Sequence, residues 1–200
     1  MAQACAEPLL SDIASSMLKN QPFLFPTIQV IPIGGFREVV NFLSRYDALT
    51  GPGCNSYALL DRDVLEEIEQ TWRDRENFEQ LAWLRRSGNR ISYLPWTPEV
   101  GLIELYLEDE HNFRSMLRDA FANQALHLEH GDIHEIQALE GGGKRNRCKS
   151  LTKEILESIS AQTTRSKGEV TRSLGALLSR EYLRRKREEA MRIYAPMIAD

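Results

Sequence analysis

The feature that most constrains the fold of this chain is an apolar run that ends abruptly in two carboxylates. Residues 57–60 are apolar apart from the tyrosine hydroxyl, and an Asp-Arg-Asp sequence follows directly at 61–63. Turn-forming residues at 51–55 precede the run, and a helical pattern succeeds it. An apolar run of this length between such signals predicts a short buried strand that leads into a helix.

The two aspartates, Asp61 and Asp63, therefore fall at the carboxyl end of a predicted strand. In open α/β sheets, ligands bind at that edge. Two carboxylates held close together repel each other unless a cation, a proton or a basic side chain lies between them, and Mg²⁺ prefers such oxygen ligands. The alternative interpretation is structural: Asp63 caps a helix that begins at Val64, and Asp61 only ends the strand.

Further strands and helices alternate around this motif. Residues 28–33 are rich in β-branched side chains and end in Gly34-Gly35, and a helical pattern begins at Phe36. A long amphipathic helix is predicted over 64–84, and residues 91–96 resemble another strand. This alternation predicts βαβ units and a mainly parallel sheet flanked by helices, which is an α/β fold.

Beyond the last predicted strand the pattern is helical. Three glycines and several cations over 141–149 predict a flexible basic loop, and two helices follow at about 150–162 and 167–193. The sequence therefore predicts an α/β domain over 1–109 and a C-terminal helical extension over 110–200.

Charge is distributed unevenly along the chain. Residues 1–143 carry 11 Lys and Arg against 22 Asp and Glu, whereas residues 144–200 carry 14 against 7. An acidic working site joined to a basic surface suits a polyanionic partner, although basic helices are also commonly just solvated. The three cysteines are scattered, and no apolar stretch reaches the ~20 residues of a membrane span. We therefore expect a cytoplasmic protein without a membrane partner.

The order strand, Gly-Gly, helix, strand, Asp-x-Asp and helix resembles the TOPRIM domain of topoisomerases, primases and OLD-type nucleases. Residues 28–40 and 57–63 carry the resemblance, and the Leu-Leu-Asp-Arg-Asp sequence at 59–63 is its most specific part. It is similar in particular to the OLD-like branch, whose relatives accompany ATPase partners in bacterial anti-phage systems. The resemblance covers about residues 7–108 and implies a TOPRIM-like, mainly parallel sheet.

The resemblance implies Mg²⁺-dependent or Mn²⁺-dependent cleavage of a phosphodiester, with DNA and RNA both open as substrates. Asp61 and Asp63 would hold the metal. Glu7 would act as general base or additional ligand. Glu104, or failing it Glu99, would help to bind a second metal, because a two-metal site stabilises both the attacking and the leaving oxygen.

The first motif departs from the TOPRIM pattern. A TOPRIM domain normally opens with an apolar strand that ends in a catalytic glutamate followed by glycine, whereas Pro8 follows Glu7 here. Either Glu7 fills the role on a short strand, or the chain has lost its first element.

In the complex with nucleic acid that the resemblance implies, the basic half of the chain would bind phosphates. Such contacts position the nucleic acid without recognising its sequence. The candidate cations are Lys144, Arg145, Arg147 and Lys149 in the loop and Arg180, Arg184, Arg185 and Arg187 in the last helix. The resemblance also implies an ATPase partner, and the sequence leaves open whether the chain forms homo-oligomers.

Two other functions stay open on sequence grounds. One is a catalytically defective TOPRIM-like module that binds nucleic acid or a partner protein. The other is a haloacid-dehalogenase-like phosphatase with Asp61 as nucleophile, although that family places its Asp-x-Asp on the first strand. His127, His130 and His134 cluster within eight residues, but their setting favours a polar loop over a zinc site.

Overall fold

The structure, a computed structural model, describes residues 1–18, 31, 33, 36–46, 56–64, 90–128 and 133–199. The chain divides into two compact units. What we call the helical unit comprises Met1–Leu9 and Thr97–Arg185, and the strand-bearing unit comprises Leu10–Trp96 and Lys186–Asp200. Each unit is therefore assembled from two separate stretches of sequence.

Six α-helices, two short strands and one 3₁₀ helix make up the regular structure of the described residues. In chain order they are α1 (Ala2–Leu18), α2 (Phe36–Tyr46), β1 (Ala58–Leu60), β2 (Ile91–Tyr93), α3 (Pro98–Glu108), α4 (Glu110–Phe121), the 3₁₀ helix (His134–Ala138), α5 (Gly141–Thr163) and α6 (Lys167–Ala199). Both α1 and α6 begin in the helical unit and end in the strand-bearing unit.

The predicted TOPRIM-like α/β fold, a mainly parallel sheet flanked by helices, was wrong. The protein is mostly helical, and within the described residues its sheet consists of β1 and β2 alone. At the N-terminus, α1 replaces the strand that was expected to end in Glu7. Alanine, glutamine and glutamate are strong helix formers. The helix also buries Ala4, Cys5 and Leu9, so local propensity and packing favour the same structure.

Two of the predicted strands are confirmed as β1 and β2, which pair in parallel. Leu60 lies opposite Tyr93 in the ladder. The backbone N–H of Leu94 extends the pairing by donating a 2.7 Å hydrogen bond to the Leu60 carbonyl. Most of the segment predicted as strand and glycine pair at 28–35 lies outside the described residues, as does all of the helix predicted over 64–84 except its first residue.

The helical unit is built around α3, which packs against α4 and α5. Apolar side chains recur at helical spacing, so each helix turns one face inward. On α3 and α5 the residues that are at most 1% exposed are Leu102, Ile103, Tyr106, Cys148, Leu151, Ile155 and Ile159.

The segment predicted as a flexible basic loop over 141–149 is helical instead, because α5 begins at Gly141. Cys148 lies within this segment and is fully buried. Its position continues the apolar stripe of α5 towards the N-terminus, so the helix extends upstream of the predicted start at residue 150.

Within the helical unit, α6 packs very close to the first turns of α1. A Cβ atom on Gly175 would lie 2.3 Å from the carbonyl oxygen of Ala4, so only glycine fits there. Pro8 has no N–H to donate to that same carbonyl, which is its i−4 partner in α1. The next carbonyl, of Cys5, accepts a 2.8 Å hydrogen bond from the Ser179 hydroxyl. The proline thus falls where α6 meets the backbone of α1.

The last helix, α6, covers the helix predicted over 167–193 and continues to Ala199. It is interrupted at Lys186, whose φ of −131° and ψ of 35° are not helical. This break coincides with the boundary between the two units. Of the helices that the structure describes, none combines the length and the apolar character needed to cross a membrane.

Candidate metal-binding edge of the strand pair

The strand end that precedes Asp61 rests on a small apolar core in the strand-bearing unit. The buried members of this core are Leu43, Ala58, Leu60 and Val64, and the partly buried side chains packed against it are Phe36, Val39, Ile91 and Tyr93. Burial alternates along β1, as expected for a strand with one face on a core. Apolar contacts on both sides of Asp61 therefore fix the point at which β1 ends.

A tight turn follows β1 and carries the two aspartates. The Asp61 carbonyl accepts a 3.1 Å hydrogen bond from the backbone N–H of Val64, which closes the turn. Asp61 and Asp63 are half-buried, whereas Arg62 between them is exposed. The expected position of both aspartates, directly after a strand of a parallel pair, is confirmed.

The neighbouring strand, β2, ends beside the end of β1, since Tyr93 is paired with Leu60. Leu94 donates its N–H to Leu60, and the carbonyl of Tyr93 accepts a 2.8 Å hydrogen bond from the hydroxyl of Tyr194 in α6. Burial raises the pKa of the Tyr93 phenol, so this side chain stays neutral through the physiological range. The end of β2 is thus tied to β1 on one side and to α6 on the other.

The other predicted carboxylates lie in the helical unit. Glu7 is exposed on α1, where the side chain of Gln3 donates a 2.8 Å hydrogen bond to its Oε1. Glu104 is exposed on α3 and forms a 2.6 Å ion pair with Lys144 of α5. The hydrogen bond to Glu104 raises the pKa of Lys144. Glu99 lies in the first turn of α3.

Of the predicted metal ligands, the two aspartates are those that lie in the strand-bearing unit. In the part of the chain that the structure describes, no group of three or more His, Cys, Asp and Glu side chains is arranged to hold a metal ion. The strand edge offers two carboxylates, Asp61 and Asp63. Mg²⁺ is commonly held by one or two carboxylates, while waters and substrate phosphates complete its coordination. The two aspartates fit that pattern.

The cations predicted to bind phosphate on α5 differ in what surrounds them. Lys144 is paired with Glu104, and Arg147 lies 3.9 Å from a carboxylate oxygen of Glu154. Arg145 is half-buried. Lys149 is exposed, and over residues 90–128 and 133–199 no ion pair involves it.

Two of the four predicted cations on α6, Arg184 and Arg185, are held by carboxylates of the helical unit, whereas Arg180 is exposed and Arg187 donates a 2.8 Å hydrogen bond to the hydroxyl of Ser16. Arg184 lies 2.8 Å from Glu181, whose side chain is only 12% exposed. Arg185 pairs with Glu108 of α3 and, at 3.4 Å, with Glu181. The hydrogen bond from Arg184 is the main cause of the lowered pKa of Glu181. These arginines stabilise the helical unit and are only partly available to a phosphate.

The histidine segment has a structural role where it is described. The side chain of Gln162 accepts a 3.0 Å hydrogen bond from the backbone N–H of His127 and donates a 2.7 Å bond to its carbonyl. His134 is exposed at the start of the 3₁₀ helix, and His130 lies outside the described residues. The two histidines are therefore placed by main-chain contacts and by the 3₁₀ helix.

The chain matches no protein-family model, no curated protein sequence and no solved structure.

Two contacts near the candidate residues were not predicted from the sequence. The ion pair of Lys144 with Glu104 joins residues 40 positions apart, and the hydrogen bond of Tyr194 with Tyr93 joins residues 101 positions apart. The one available signal was the aromatic character of the C-terminal segment, which predicts packing but does not identify the partner.

Proposed function

We propose that the protein catalyses Mg²⁺-dependent cleavage of phosphodiester bonds in nucleic acid, with Asp61 and Asp63 as the metal ligands. The observation that supports this best is the position of two half-buried carboxylates directly after β1, at the carboxyl end of a parallel strand pair. Carboxylate oxygens are the ligands that Mg²⁺ prefers, and one or two of them commonly hold it. Two carboxylates held close together repel each other, so a cation bound between them would lower their free energy.

Each aspartate has a defined part in this proposal. Their carboxylate oxygens bind the cation, and the exposed Arg62 between them is the nearest cation in the sequence for a substrate phosphate. When bound, Mg²⁺ supplies the positive charge that lets an anionic backbone approach and that stabilises charge developing on phosphate oxygens. The half-burial of Asp61 and Asp63 strengthens their attraction for a cation, since fewer waters screen it.

The remaining predicted carboxylates keep their roles only as predictions. Glu7 and Glu104 belong to the helical unit. Glu104 would have to give up its ion pair with Lys144 before it could bind a metal. We therefore assign the core of the proposed site to Asp61 and Asp63. An ATPase partner and a role in anti-phage defence rest on the sequence resemblance alone.

A plasmid-nicking assay with Mg²⁺ tests the proposal. We expect Asp61→Asn and Asp63→Asn each to lower the rate more than about 100-fold, because even groups outside the first layer of a metal site contribute about 10–100-fold. Asn keeps the shape of the side chain and removes its charge. Asp119→Asn, which changes an exposed aspartate on α4, is the matched control and should leave the rate unchanged.

A nicking rate that survives both substitutions would remove these aspartates from the mechanism. Equal losses in the Asp61, Asp63 and Asp119 variants would show that charge or folding, and not the strand edge, controls the assay. Circular dichroism of each variant separates these results from unfolding.

A second candidate function is non-catalytic binding of nucleic acid or of a partner protein. Two observations favour it: Glu7 lies on a helix where a strand was expected, and Glu104 is engaged by Lys144. Both reduce the set of carboxylates that catalysis was predicted to use. The exposed Lys149 offers a cation to a polyanion.

Titration calorimetry with Mg²⁺ distinguishes the two candidates. Catalysis at the strand edge requires a saturable Mg²⁺ heat that is lost in the Asp61→Asn and Asp63→Asn variants. The binding function predicts that fluorescently labelled DNA or RNA binds equally well with Mg²⁺ and with a chelator, and that no Mg²⁺ heat is measured.

A further inference from the structure

The hydroxyl of Tyr194 joins the C-terminal part of α6 to the end of β2. The side chain is fully buried, and the hydroxyl donates a 2.8 Å hydrogen bond to the carbonyl oxygen of Tyr93. Both residues belong to the strand-bearing unit. A buried tyrosine hydroxyl generally requires a hydrogen-bond partner, and here that partner is the backbone of a strand.

This carbonyl points to the outer edge of β2. In a strand, the backbone groups of successive residues point alternately to the neighbours on the two sides. Leu94 donates its N–H to Leu60 of β1, so the carbonyl of Tyr93, one position earlier, points away from β1. The hydroxyl of Tyr194 therefore supplies the donor that a further strand would supply in a wider sheet.

The contact lies close to the proposed metal site along the backbone. Tyr93 is opposite Leu60 in the ladder, and Leu60 immediately precedes Asp61. The two strands have three residues each, so only a few ladder hydrogen bonds fix where they end. A hydrogen bond from outside the ladder therefore has a large share in positioning these ends.

We propose that Tyr194 is a positioning residue for the metal site at Asp61 and Asp63, an inference that rests on the proposed function. The hydrogen bond from the Tyr194 hydroxyl fixes the position of the end of β2. The hydrogen bond between Leu94 and Leu60 then fixes the end of β1 relative to β2. Groups that orient a metal ligand directly change metal affinity about 10–100-fold. Tyr194 does not contact a metal ligand and acts only through the backbone of β2 and β1. Its effect on Mg²⁺ affinity is therefore smaller, about three- to tenfold.

Tyr194→Phe removes the hydroxyl and keeps the ring. Titration calorimetry of the full chain with Mg²⁺ alone measures the affinity, and thermal unfolding of the same samples shows that each variant is folded during the titration. The matched control is Tyr182→Phe, the same substitution on α6 but within the helical unit. Tyr194→Phe should weaken Mg²⁺ binding about three- to tenfold, and Tyr182→Phe should leave it unchanged.

The outcomes separate this inference from the function on which it rests. If folded Tyr194→Phe binds Mg²⁺ as tightly as the wild type, the positioning role is wrong while the metal site stands. If Tyr182→Phe weakens binding equally, the effect is general destabilisation and the positioning role is again rejected. If the wild type itself gives no saturable Mg²⁺ heat, the proposed function is wrong.

Hydrogen exchange of the wild-type chain is a second measurement, which does not depend on a folded variant. Since the metal stabilises the conformation that binds it, Mg²⁺ should slow exchange of the Leu94 amide at least about threefold. The control is the amide of Phe113 in α4, which donates a hydrogen bond to the Asp109 carbonyl. The exchange rate of this amide should not change with Mg²⁺. Equal exchange of Leu94 with and without saturating Mg²⁺ would contradict a link between β2 and the metal site.

Discussion

The carboxylates of α3 in the helical unit and those that follow β1 in the strand-bearing unit have different charged neighbours along the chain. In the helical unit, carboxylates of α3 face cations on other helices: Glu104 pairs with Lys144, and Glu108 pairs with Arg185. In the strand-bearing unit, Asp61 and Asp63, of like charge, are separated by one residue at the end of β1. Paired opposite charges stabilise the packing that holds them, whereas crowded like charges gain most from an added cation. We therefore expect the helical unit to act as a framework, and the chemistry that we propose belongs to the strand edge.

The framework role is tested most severely by Gly175→Ala. The added Cβ would lie 2.3 Å from the carbonyl oxygen of Ala4, so α1 and α6 would have to move apart. We expect the free energy of unfolding to fall by about 3 kcal/mol, at the upper end of the usual cost of overpacking. Denaturant unfolding measures it.

Gly168→Ala is the control on the same helix. An added Cβ there would come no closer than 4.0 Å to the Ser166 hydroxyl. The substitution should therefore raise stability slightly, by about 0.4–1 kcal/mol, because alanine restricts the unfolded chain. Equal effects of the two substitutions would mean that the close contact of α1 with α6 does not stabilise the unit.

Glu181→Gln tests whether paired charges stabilise the helical unit. Arg184 lowers the pKa of Glu181, so the pair stabilises the fold above the ordinary glutamate pKa and ceases to do so as pH falls through the lowered value. At pH 7 we expect a loss of about 1 kcal/mol, because the Arg184 side chain is mostly exposed and solvent screens the pair. In unfolding curves measured from neutral to acid pH, the difference between variant and wild type should shrink as the pH falls below the ordinary glutamate pKa and through the lowered pKa of Glu181.

Glu188→Gln, at an exposed position of α6, should have little effect at either pH. A pH-independent difference for Glu181→Gln would mean that packing, and not the ion pair, accounts for the role of this side chain.

Ala122→Gly should stabilise the helical unit. Ala122 ends α4 with a φ of 50°, a left-handed conformation that disfavours any residue with a Cβ. Glycine removes that strain, so we expect a gain of about 1 kcal/mol in the free energy of unfolding. Ala161→Gly, at an exposed position inside α5, should instead cost about 1 kcal/mol. Losses at both positions would show that Ala122 is not strained.

The smallest expected effect is that of Lys149→Gln. This substitution tests whether an exposed cation of the helical unit binds the phosphates of a nucleic acid. If Lys149 contacts a phosphate, the slope of log K against log salt for DNA binding should decrease by about 0.9. Lys144→Gln should change the slope less, because Lys144 is already paired with Glu104. An equal decrease of the slope in both variants would mean that the ion pair with Glu104 does not prevent Lys144 from binding phosphate.

The sequence predicted those parts of the structure that local pattern determines. The run at 57–60 identified β1 and the aspartates after it, and apolar periodicity identified most of α5 and α6. The N-terminal residues were assigned by resemblance to a family motif, although their alanine-rich sequence favours a helix. At 141–149, the glycines suggested a loop because the buried Cys148 was not recognised as part of the stripe of α5.

Long-range contacts could not be predicted in the same way. No periodicity links Lys144 to Glu104 or Tyr194 to Tyr93, since each pair meets only after the chain has folded. Net charge indicated a basic surface in the C-terminal half, but it did not show that carboxylates engage Arg184 and Arg185. A count of charges along a sequence does not show which cations form ion pairs within the fold and which are left to bind a partner.

The most direct test of the account is an anomalous difference map from crystals of the full chain grown with Mn²⁺ as a substitute for Mg²⁺. The account predicts a peak in contact with the carboxylates of both Asp61 and Asp63, which disappears in the Asp61→Asn Asp63→Asn variant. A map with no peak beside these two side chains at saturating Mn²⁺, or with its only peak at carboxylates of the helical unit, would contradict it.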